Sequence, residues 1–141
     1  MDKKLLFLSL VVLGILLIYF QFGLKKEKAK PLCPSFEKFK IGIPNPAAVY
    51  CGSLGYEYEV VKTEKGEIGY CKFPDGSKCE EWEFFAGKCA NQWSYCERFL
   101  KGKIGKPKLC EYAKECATCI LKDKVCFDFL LCQGKEVCFK K

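Results

Sequence analysis

The chain has 141 residues and a formal net charge of +7 at pH 7, and it contains 12 cysteines but no histidine. The absence of histidine excludes histidine-dependent hydrolysis and leaves only all-cysteine ligation for a zinc or iron–sulfur site. The lysines that make the chain basic are dispersed and are not accompanied by stacking aromatic residues, so the charge does not indicate nucleic-acid binding.

The N-terminal region contains one long apolar run, residues 5–24, in which Ser9 and Gln21 are the polar side chains. As a helix, this run would reach about 30 Å, which is the thickness of a bilayer core. No small-x-small cleavage site precedes Lys25, so a cleaved signal peptide is disfavoured. We therefore predict a single transmembrane signal-anchor helix over residues 5–24, with the lipid bilayer as its partner. A basic, proline-punctuated tether over residues 25–44 follows it.

The cysteines indicate the compartment of the remaining chain. All twelve lie after residue 32, at a density typical of disulfide scaffolds in oxidising environments. Two features weigh against this interpretation. The lysines that flank the apolar run mildly favour the opposite orientation, and the thermophile-like scarcity of Asn, Gln and Met is typical of organisms that keep disulfides inside the cell. We predict a single-pass protein of the cell membrane, with a cytoplasmic N-terminus and the C-terminal domain outside.

Residues 45–89, the motif domain, contain the strongest local signals. Asn45 suits an N-cap, Pro46 suits the first helical position and Gly55 suits the helix end, which predicts a helix over residues 46–54. Two β-compatible runs, separated by a glycine-containing turn, then predict a hairpin.

Ser77 and Glu80 have the spacing of a capping box, which predicts a second helix ending at Gly87. In this helix, Glu80 and Glu81 are interpreted as capping acids rather than as paired catalytic carboxylates. Its predicted buried side consists of Cys79, Trp82, Phe85 and Ala86. Four aromatic residues of the motif domain are the predicted exposed contacts with a partner: Tyr56, Tyr58, Tyr70 and Phe84.

The motif domain carries the patterns Asn-Pro-Ala-x-x-Tyr-Cys and Gly-Tyr-Cys-x-Phe-Pro-Asp-Gly-Ser-x-Cys-Glu-Glu-Trp-x-Phe-Phe-x-Gly-x-Cys. Together they resemble a small bacterial and archaeal domain family of unknown function, whose members often carry a haemolysin label. The resemblance implies an exported or lipid-anchored protein. It implies no catalytic residues.

Residues 90–141, the extension, have mainly helical patterns. Asn91 caps a predicted helix that continues to Leu100, residues 101–108 form a predicted loop, and residues 109–121 form a second predicted amphipathic helix. Residues 125–132 are compatible with strand or helix, and the last residues either pair back or trail. The predicted fold class is therefore α+β: a small disulfide-rich domain of helix, β-hairpin and helix, followed by a mainly helical cysteine-rich extension, behind one transmembrane helix.

The twelve cysteines are the predicted structural disulfides. Within the motif domain, a helix between Cys79 and Cys89 would hold their Cα atoms beyond the limit of about 7 Å for a bridge. This disfavours Cys79–Cys89, and it leaves either Cys51–Cys79 with Cys71–Cys89 or Cys51–Cys89 with Cys71–Cys79. The pairing of the other eight is open: Cys33, Cys96, Cys110, Cys116, Cys119, Cys126, Cys132 and Cys138.

The sequence contains no evident catalytic constellation, so we predict a non-enzymatic binding or envelope-associated module without a cofactor. Its partner would be an unidentified extracytoplasmic protein or envelope ligand. The alternative is a thiol redox or metal-binding protein. Cys116 and Cys119 have redox-motif spacing, and with Cys110 and Cys126 they would form an all-cysteine ligand set in a reduced domain.

Overall fold

The computed structural model describes residues 2–4, 10–15, 33–34 and 45–140. The chain divides into two units, Met1–Lys30 and Pro31–Lys141. In the first unit, residues 3–4 and 10–15 are helical, and the rest of the predicted anchor, residues 5–9 and 16–24, lies outside the described residues. No helix in the described ranges combines the length and the apolar character needed to cross a lipid bilayer. The predicted fold class, which placed a transmembrane helix before the domain, is corrected on this point. The predicted tether lies outside the described residues, apart from residues 33–34.

The motif domain begins with the predicted helix and hairpin. Helix α1 is Pro46–Ser53, and strands β1, Glu57–Thr63, and β2, Gly66–Lys72, pair antiparallel. The side chain of Asn45 accepts hydrogen bonds from the amides of Ala47 and Ala48, and Gly55 has a φ of 83° just beyond the helix. The capping and termination signals therefore act as the sequence predicted.

The second helix begins later than predicted. Residues Lys78–Glu80 form strand β3, which pairs with β2, and helix α2 is Glu81–Phe85. The backbone amide and hydroxyl of Ser77 donate to Asp75 instead of capping a helix. The Glu80 carboxylate caps α2 by accepting from the amides of Trp82 and Glu83. The capping-box prediction at Ser77 is wrong because the turn at residues 74–76 folds the chain back onto β2.

The extension is a four-stranded antiparallel sheet with short helices, so the mainly helical prediction is wrong. Strands β4 (Lys103–Lys108), β5 (Cys116–Ile120), β6 (Lys124–Phe127) and β7 (Cys138–Lys140) lie side by side in chain order. A 3₁₀ turn, Asn91–Trp93, and helix α3, Tyr95–Leu100, precede the sheet, and helix α4, Asp128–Cys132, lies between β6 and β7. Four of the five β5 residues are fully buried, and a strand buried on both sides lacks the alternation that distinguishes it from a helix.

The motif domain and the extension share one hydrophobic core within the second unit. The ring of Tyr50 stacks on Phe84 with centroids 5.3 Å apart, and it meets Phe129 of α4 edge to face at 5.9 Å. Cys33 also belongs to this core, and its amide donates to the carbonyl of Cys132 over 3.1 Å. Helix α1 is therefore held from both sides by residues distant in sequence.

All twelve cysteines are paired. The bridge Cys79–Cys89 forms with a Cα–Cα distance of 6.3 Å, so both alternative pairings predicted for the motif domain are wrong. The reason is that Cys79 lies in β3 and the five-residue α2 is too short to separate the two cysteines. The six bridges are Cys33–Cys132, Cys51–Cys71, Cys79–Cys89, Cys96–Cys119, Cys110–Cys116 and Cys126–Cys138.

Candidate binding surface

Two of the four predicted contact residues lie in the core. Tyr56 is 7% exposed, and its hydroxyl donates to the carbonyl of Trp93 over 2.6 Å. Phe84 is 1% exposed and packs edge to face against Phe73 with ring centroids 5.1 Å apart. Neither side chain is available to a partner, so the prediction that they form contacts is wrong. Tyr56 packs edge to face against Phe73 and Trp93, and α2 directs Phe84 inward.

The other two predicted contact residues lie at the surface, but not in one patch. Tyr58 is 38% exposed, and the half-buried Tyr70 has the ammonium group of Lys78 4.8 Å from its ring centroid. Tyr58 stands opposite Cys71, the residue next to Tyr70 on β2. Because adjacent strand residues point to opposite sides of a sheet, the two tyrosines occupy opposite faces.

Trp82 was predicted to be buried, but its indole is exposed. The helix predicted from Ser77 placed Trp82 inside, whereas the observed α2 leaves its side chain 39% exposed. The indole packs edge to face on Phe85 with a centroid distance of 5.8 Å, which fixes its orientation. Phe84 and Phe85 occupy the core positions of this short helix, so the third aromatic residue faces outward.

Trp82 borders an open groove of about 190 Å³, where α2 of the motif domain meets the extension. One wall comes from the segment that begins at α2, and the other comes from residues 113–115. The groove is lined by Trp82, Glu83, Ala86, Lys88, Ala113, Lys114 and Glu115.

The ion pair between Lys88 and Glu115 connects the two walls, and a second pair, Lys88–Glu83, lies within the first wall. The Nζ atom of Lys88 lies 2.5 Å from Oε2 of Glu115 and 3.7 Å from Oε1 of Glu83. The pKa of Lys88 is raised mainly by its hydrogen bond to Glu115. The negative charges of Glu115 and Glu83 raise this pKa further. With Lys114, the groove has two cationic and two anionic side chains. It therefore offers an aromatic face between hydrogen-bond donors and acceptors without a net charge.

The motif residues position this helix through a buried carboxylate. Glu81, only 6% exposed, accepts from Nδ2 of Asn45 over 2.8 Å and from the hydroxyl of Tyr58 over 2.6 Å. Burial and the bond to Glu81 both raise the pKa of Tyr58, burial being the larger cause. Of the two predicted capping acids, Glu80 therefore caps α2, and Glu81 instead joins α1, β1 and α2.

Comparison with known proteins shows similarity to an uncharacterised family over the part of the chain that contains this arrangement. Residues 42–88 match the model of the family described as a domain of unknown function (DUF333). An uncharacterised protein of Archaeoglobus fulgidus is 37% identical over 79 residues, which cover 56% of this chain and 36% of the relative. The uncharacterised protein YoaF of Escherichia coli K12 is 42% identical over 43 residues, which cover 30% of this chain and 51% of the relative.

The chain spans about a third of the archaeal relative and about half of YoaF. No solved structure gives a significant match. None of the three descriptions mentions haemolysis, so the haemolysin label is not confirmed. The match to DUF333 covers the part of the chain that the motif identified, and it assigns no activity.

The cysteines with redox-motif spacing are not bonded to each other. Cys116 pairs with Cys110, and Cys119 pairs with Cys96. The predicted all-cysteine ligand set is therefore divided among three bridges, because Cys126 pairs with Cys138. The redox-motif interpretation placed both cysteines in a helix, whereas they lie in strand β5.

A fully buried carboxyl group, Asp128, lies beside one of these bridges. Its carboxyl oxygen and the sulfurs of Cys96 and Cys119 lie within 4.8 Å of one another, but the two sulfurs are already bonded to each other. Asp128 accepts the hydroxyl of Tyr50, and that hydroxyl accepts the Tyr95 amide over 2.9 Å. Burial raises the pKa of Asp128 to about 7. This network holds the start of α3 against α1.

Proposed function

We propose that this domain is a non-enzymatic, extracytoplasmic binding module that holds an uncharged, polyhydroxylated envelope ligand against the indole of Trp82. The observation that carries the proposal is the 39% exposure of Trp82 beside the groove between α2 and residues 113–115. Large aromatic side chains at a concave surface, with a few polar groups beside them, are typical of binding sites.

The proposed location rests on the six disulfides. Every cysteine is bonded to another, and disulfide frameworks of this density persist in oxidising compartments outside the cytoplasm. A binding role suits such a framework, because bridges near the groove restrict the motion of its walls. Cys79–Cys89 encloses α2, and Cys110–Cys116 encloses residues 113–115. A ligand would therefore meet a largely pre-formed surface.

The chemical class of the ligand follows from the groove. Its two acidic and two basic side chains balance, so it does not favour a strongly charged ligand of either sign. The carboxylates of Glu83 and Glu115 accept hydrogen bonds from hydroxyl groups, and the ammonium groups of Lys88 and Lys114 donate them. A sugar ring presents an apolar face to an indole and hydroxyl groups around its edge, which matches this arrangement.

A fluorescence titration tests this proposal. The chain has 2 tryptophans, so Trp93→Phe leaves Trp82 as the sole indole reporter. Soluble neutral and acidic envelope oligosaccharides are added separately to this variant. We expect a saturable change in Trp82 emission with a neutral oligosaccharide. The same oligosaccharide, immobilised, should retain the wild-type chain.

Trp82→Ala is the test variant. Its matched control is Val137→Ala, at an exposed apolar position that does not line the groove. Trp82→Ala should bind the immobilised oligosaccharide with an affinity at least about tenfold lower than that of the wild type, which corresponds to about 1.4 kcal/mol. Val137→Ala should bind like the wild type. The proposal is wrong if no neutral oligosaccharide changes the emission, if only acidic ones bind, or if Trp82→Ala binds as well as the wild type.

A further inference from the structure

Within the described part of the chain, strand β1 is an unprotected sheet edge. Among the described strands it is hydrogen-bonded only to β2, in the order β1-β2-β3, and all seven residues of β1 pair in continuous register without a bulge. It contains no proline, and Val60 at its centre is 50% exposed. A long, regular edge strand presents a row of unpaired backbone groups that can bind another strand.

The turn of the hairpin decides which backbone groups point outward. Thr63 and Gly66 face each other across the two-residue turn, so they form the hydrogen-bonded pair that closes the hairpin. Bonded and non-bonded pairs alternate along an antiparallel ladder. The amides and carbonyls of the alternate residues Tyr58, Val60 and Lys62 therefore point away from β2.

The same three residues are complementary to a second copy of themselves. Antiparallel pairing of two β1 strands about a two-fold axis through Val60 places Val60 opposite Val60 of the other chain. The same axis creates two equivalent pairs, in each of which Tyr58 of one chain lies opposite Lys62 of the other. Directly opposite side chains share one face of a sheet, so the lysine stem and ammonium group would cover the exposed part of the tyrosine ring.

The charges on β1 allow this pairing. Glu57 and Glu59 both lie against Lys72 on the other face of the sheet, with N–O distances of 3.2 and 3.3 Å. Lys62, on the Val60 face, forms no ion pair within the described part of the chain. The two acidic residues of β1 thus share one lysine of their own chain on the far face, while Lys62, opposite Glu67 of β2, is on the face that a second β1 strand would share.

We propose that two copies of this chain associate through antiparallel edge-to-edge pairing of β1, centred on Val60, which forms a continuous six-stranded sheet. One strand from each chain is a small interface, so the dimer is weak and depends on concentration. None of the residues that line the Trp82 groove belongs to β1. The inference therefore goes beyond the proposed ligand binding and does not depend on it.

Cross-linking tests the register of this pairing. In a Val60→Cys variant, the two new thiols face each other across the two-fold axis, at a separation that a disulfide spans. The matched control is Val137→Cys, because Val137 is similarly exposed, at 44% compared with 50%, and lies outside β1. Under mild oxidation, we expect a covalent dimer from Val60→Cys at least ten times faster than from Val137→Cys.

Sedimentation equilibrium tests the association without a new cysteine. The wild-type chain should show a monomer–dimer equilibrium, and Val60→Lys should raise its dissociation constant at least tenfold by placing two like charges opposite each other. Val137→Lys should leave the dissociation constant unchanged. Since both positions are exposed, all variants should keep the wild-type circular dichroism. A wild-type chain that stays monomeric at about 1 mM, equal cross-linking of the two cysteine variants, or an unaffected Val60→Lys dimer would each overturn the proposal.

Discussion

The side-chain amide of Asn45 donates a hydrogen bond to Oε1 of Glu81 over 2.8 Å, so the residue that caps α1 also binds the first residue of α2. The other oxygen of Glu81 accepts from Tyr58 of β1. One buried carboxylate thus connects three elements of the motif domain. A charge at this depth is retained only where its hydrogen bonds are satisfied, which makes the three residues interdependent.

Replacing Glu81 with alanine should destabilise the domain strongly. The substitution leaves the Asn45 amide and the Tyr58 hydroxyl without their carboxylate acceptor in a partly buried site. We expect the free energy of unfolding to fall by about 2–4 kcal/mol, measured by urea denaturation. Glu83→Ala on the same helix is the control, because Glu83 is exposed and its ion pair should contribute less than about 1 kcal/mol. Equal effects of the two substitutions would contradict the role assigned to Glu81.

Asp128 should make stability depend on pH near neutrality. Burial raises its pKa to about 7 in the folded chain, whereas an unfolded aspartate has a pKa of about 3.9. Between these values, the folded chain binds a proton that the unfolded chain has released. The contribution of Asp128 to stability is therefore greatest below about pH 4, falls as pH rises to about 7, and is level above that.

An Asp128→Asn variant isolates this effect, because asparagine keeps the shape of the protonated side chain but does not titrate. The free energy of unfolding of the wild type minus that of the variant should fall between pH 4 and 8. The slope is about 1.4 kcal/mol per pH unit at most, which limits the total to about 4 kcal/mol. Urea unfolding across this range measures it. A difference that is constant with pH would show that Asp128 does not titrate there.

Replacing Lys101 with glycine should stabilise the fold. Lys101 follows α3 with a φ of 55°, the left-handed conformation that costs a residue with a Cβ atom free energy. We expect Lys101→Gly to raise the free energy of unfolding by about 0.5–1 kcal/mol, because glycine is preferred just after a helix. Lys103→Gly, at the first residue of β4, should lower it, since Lys103 is extended and pairs with Ile120, and glycine loses more conformational freedom than lysine when it is held in a strand. Thermal denaturation of both variants shows whether the two changes in stability have opposite signs.

The elements that the sequence predicted correctly are those decided by neighbouring residues. Asn45, Pro46 and Gly55 define both ends of α1, and the β1–β2 hairpin needs only its own turn. Strand β5 was missed because its partners, β4 and β6, and the core around it determine its structure. Its cysteines and apolar residues have the spacing of a helix face, and complete burial removed the polar alternation that would have indicated a strand.

The candidate site was only partly predictable for the same reason. The location of the aromatic residues in the motif domain was visible, but the side each one faces depends on where α2 begins. Pairing of Lys78–Glu80 with β2 moves that start to Glu81, which buries Phe84 and exposes Trp82. The second wall, residues 113–115, lies in a segment predicted to be helical, so the groove could not be predicted from local patterns.

The pairing of the cysteines in the motif domain is itself a test of the fold. Digestion without reduction should release peptides that contain Cys51 joined to Cys71 and Cys79 joined to Cys89, identified by mass spectrometry. Cys79 and Cys89 can bridge only if residues 78–80 leave the helix and pair with β2. Peptides that join Cys79 to Cys51 or to Cys71 would contradict the presence of β3 and the observed start of α2.

The bridges should differ in their effect on stability according to the loops they close. Cys33–Cys132 spans 99 positions and Cys110–Cys116 spans 6. Other bridges lie within the longer loop and shorten its effective length, so removal of Cys33–Cys132 by a double alanine substitution should cost about 4 kcal/mol in the chain-entropy model, compared with about 2 kcal/mol for Cys110–Cys116. Cys33 and Cys132 are both buried, whereas in the short bridge only Cys116 is, so packing losses add to the larger cost of removing the long bridge. Urea unfolding of the two variants measures the difference. A larger cost for the short bridge would contradict the chain-entropy model, because both loop length and burial favour the long bridge.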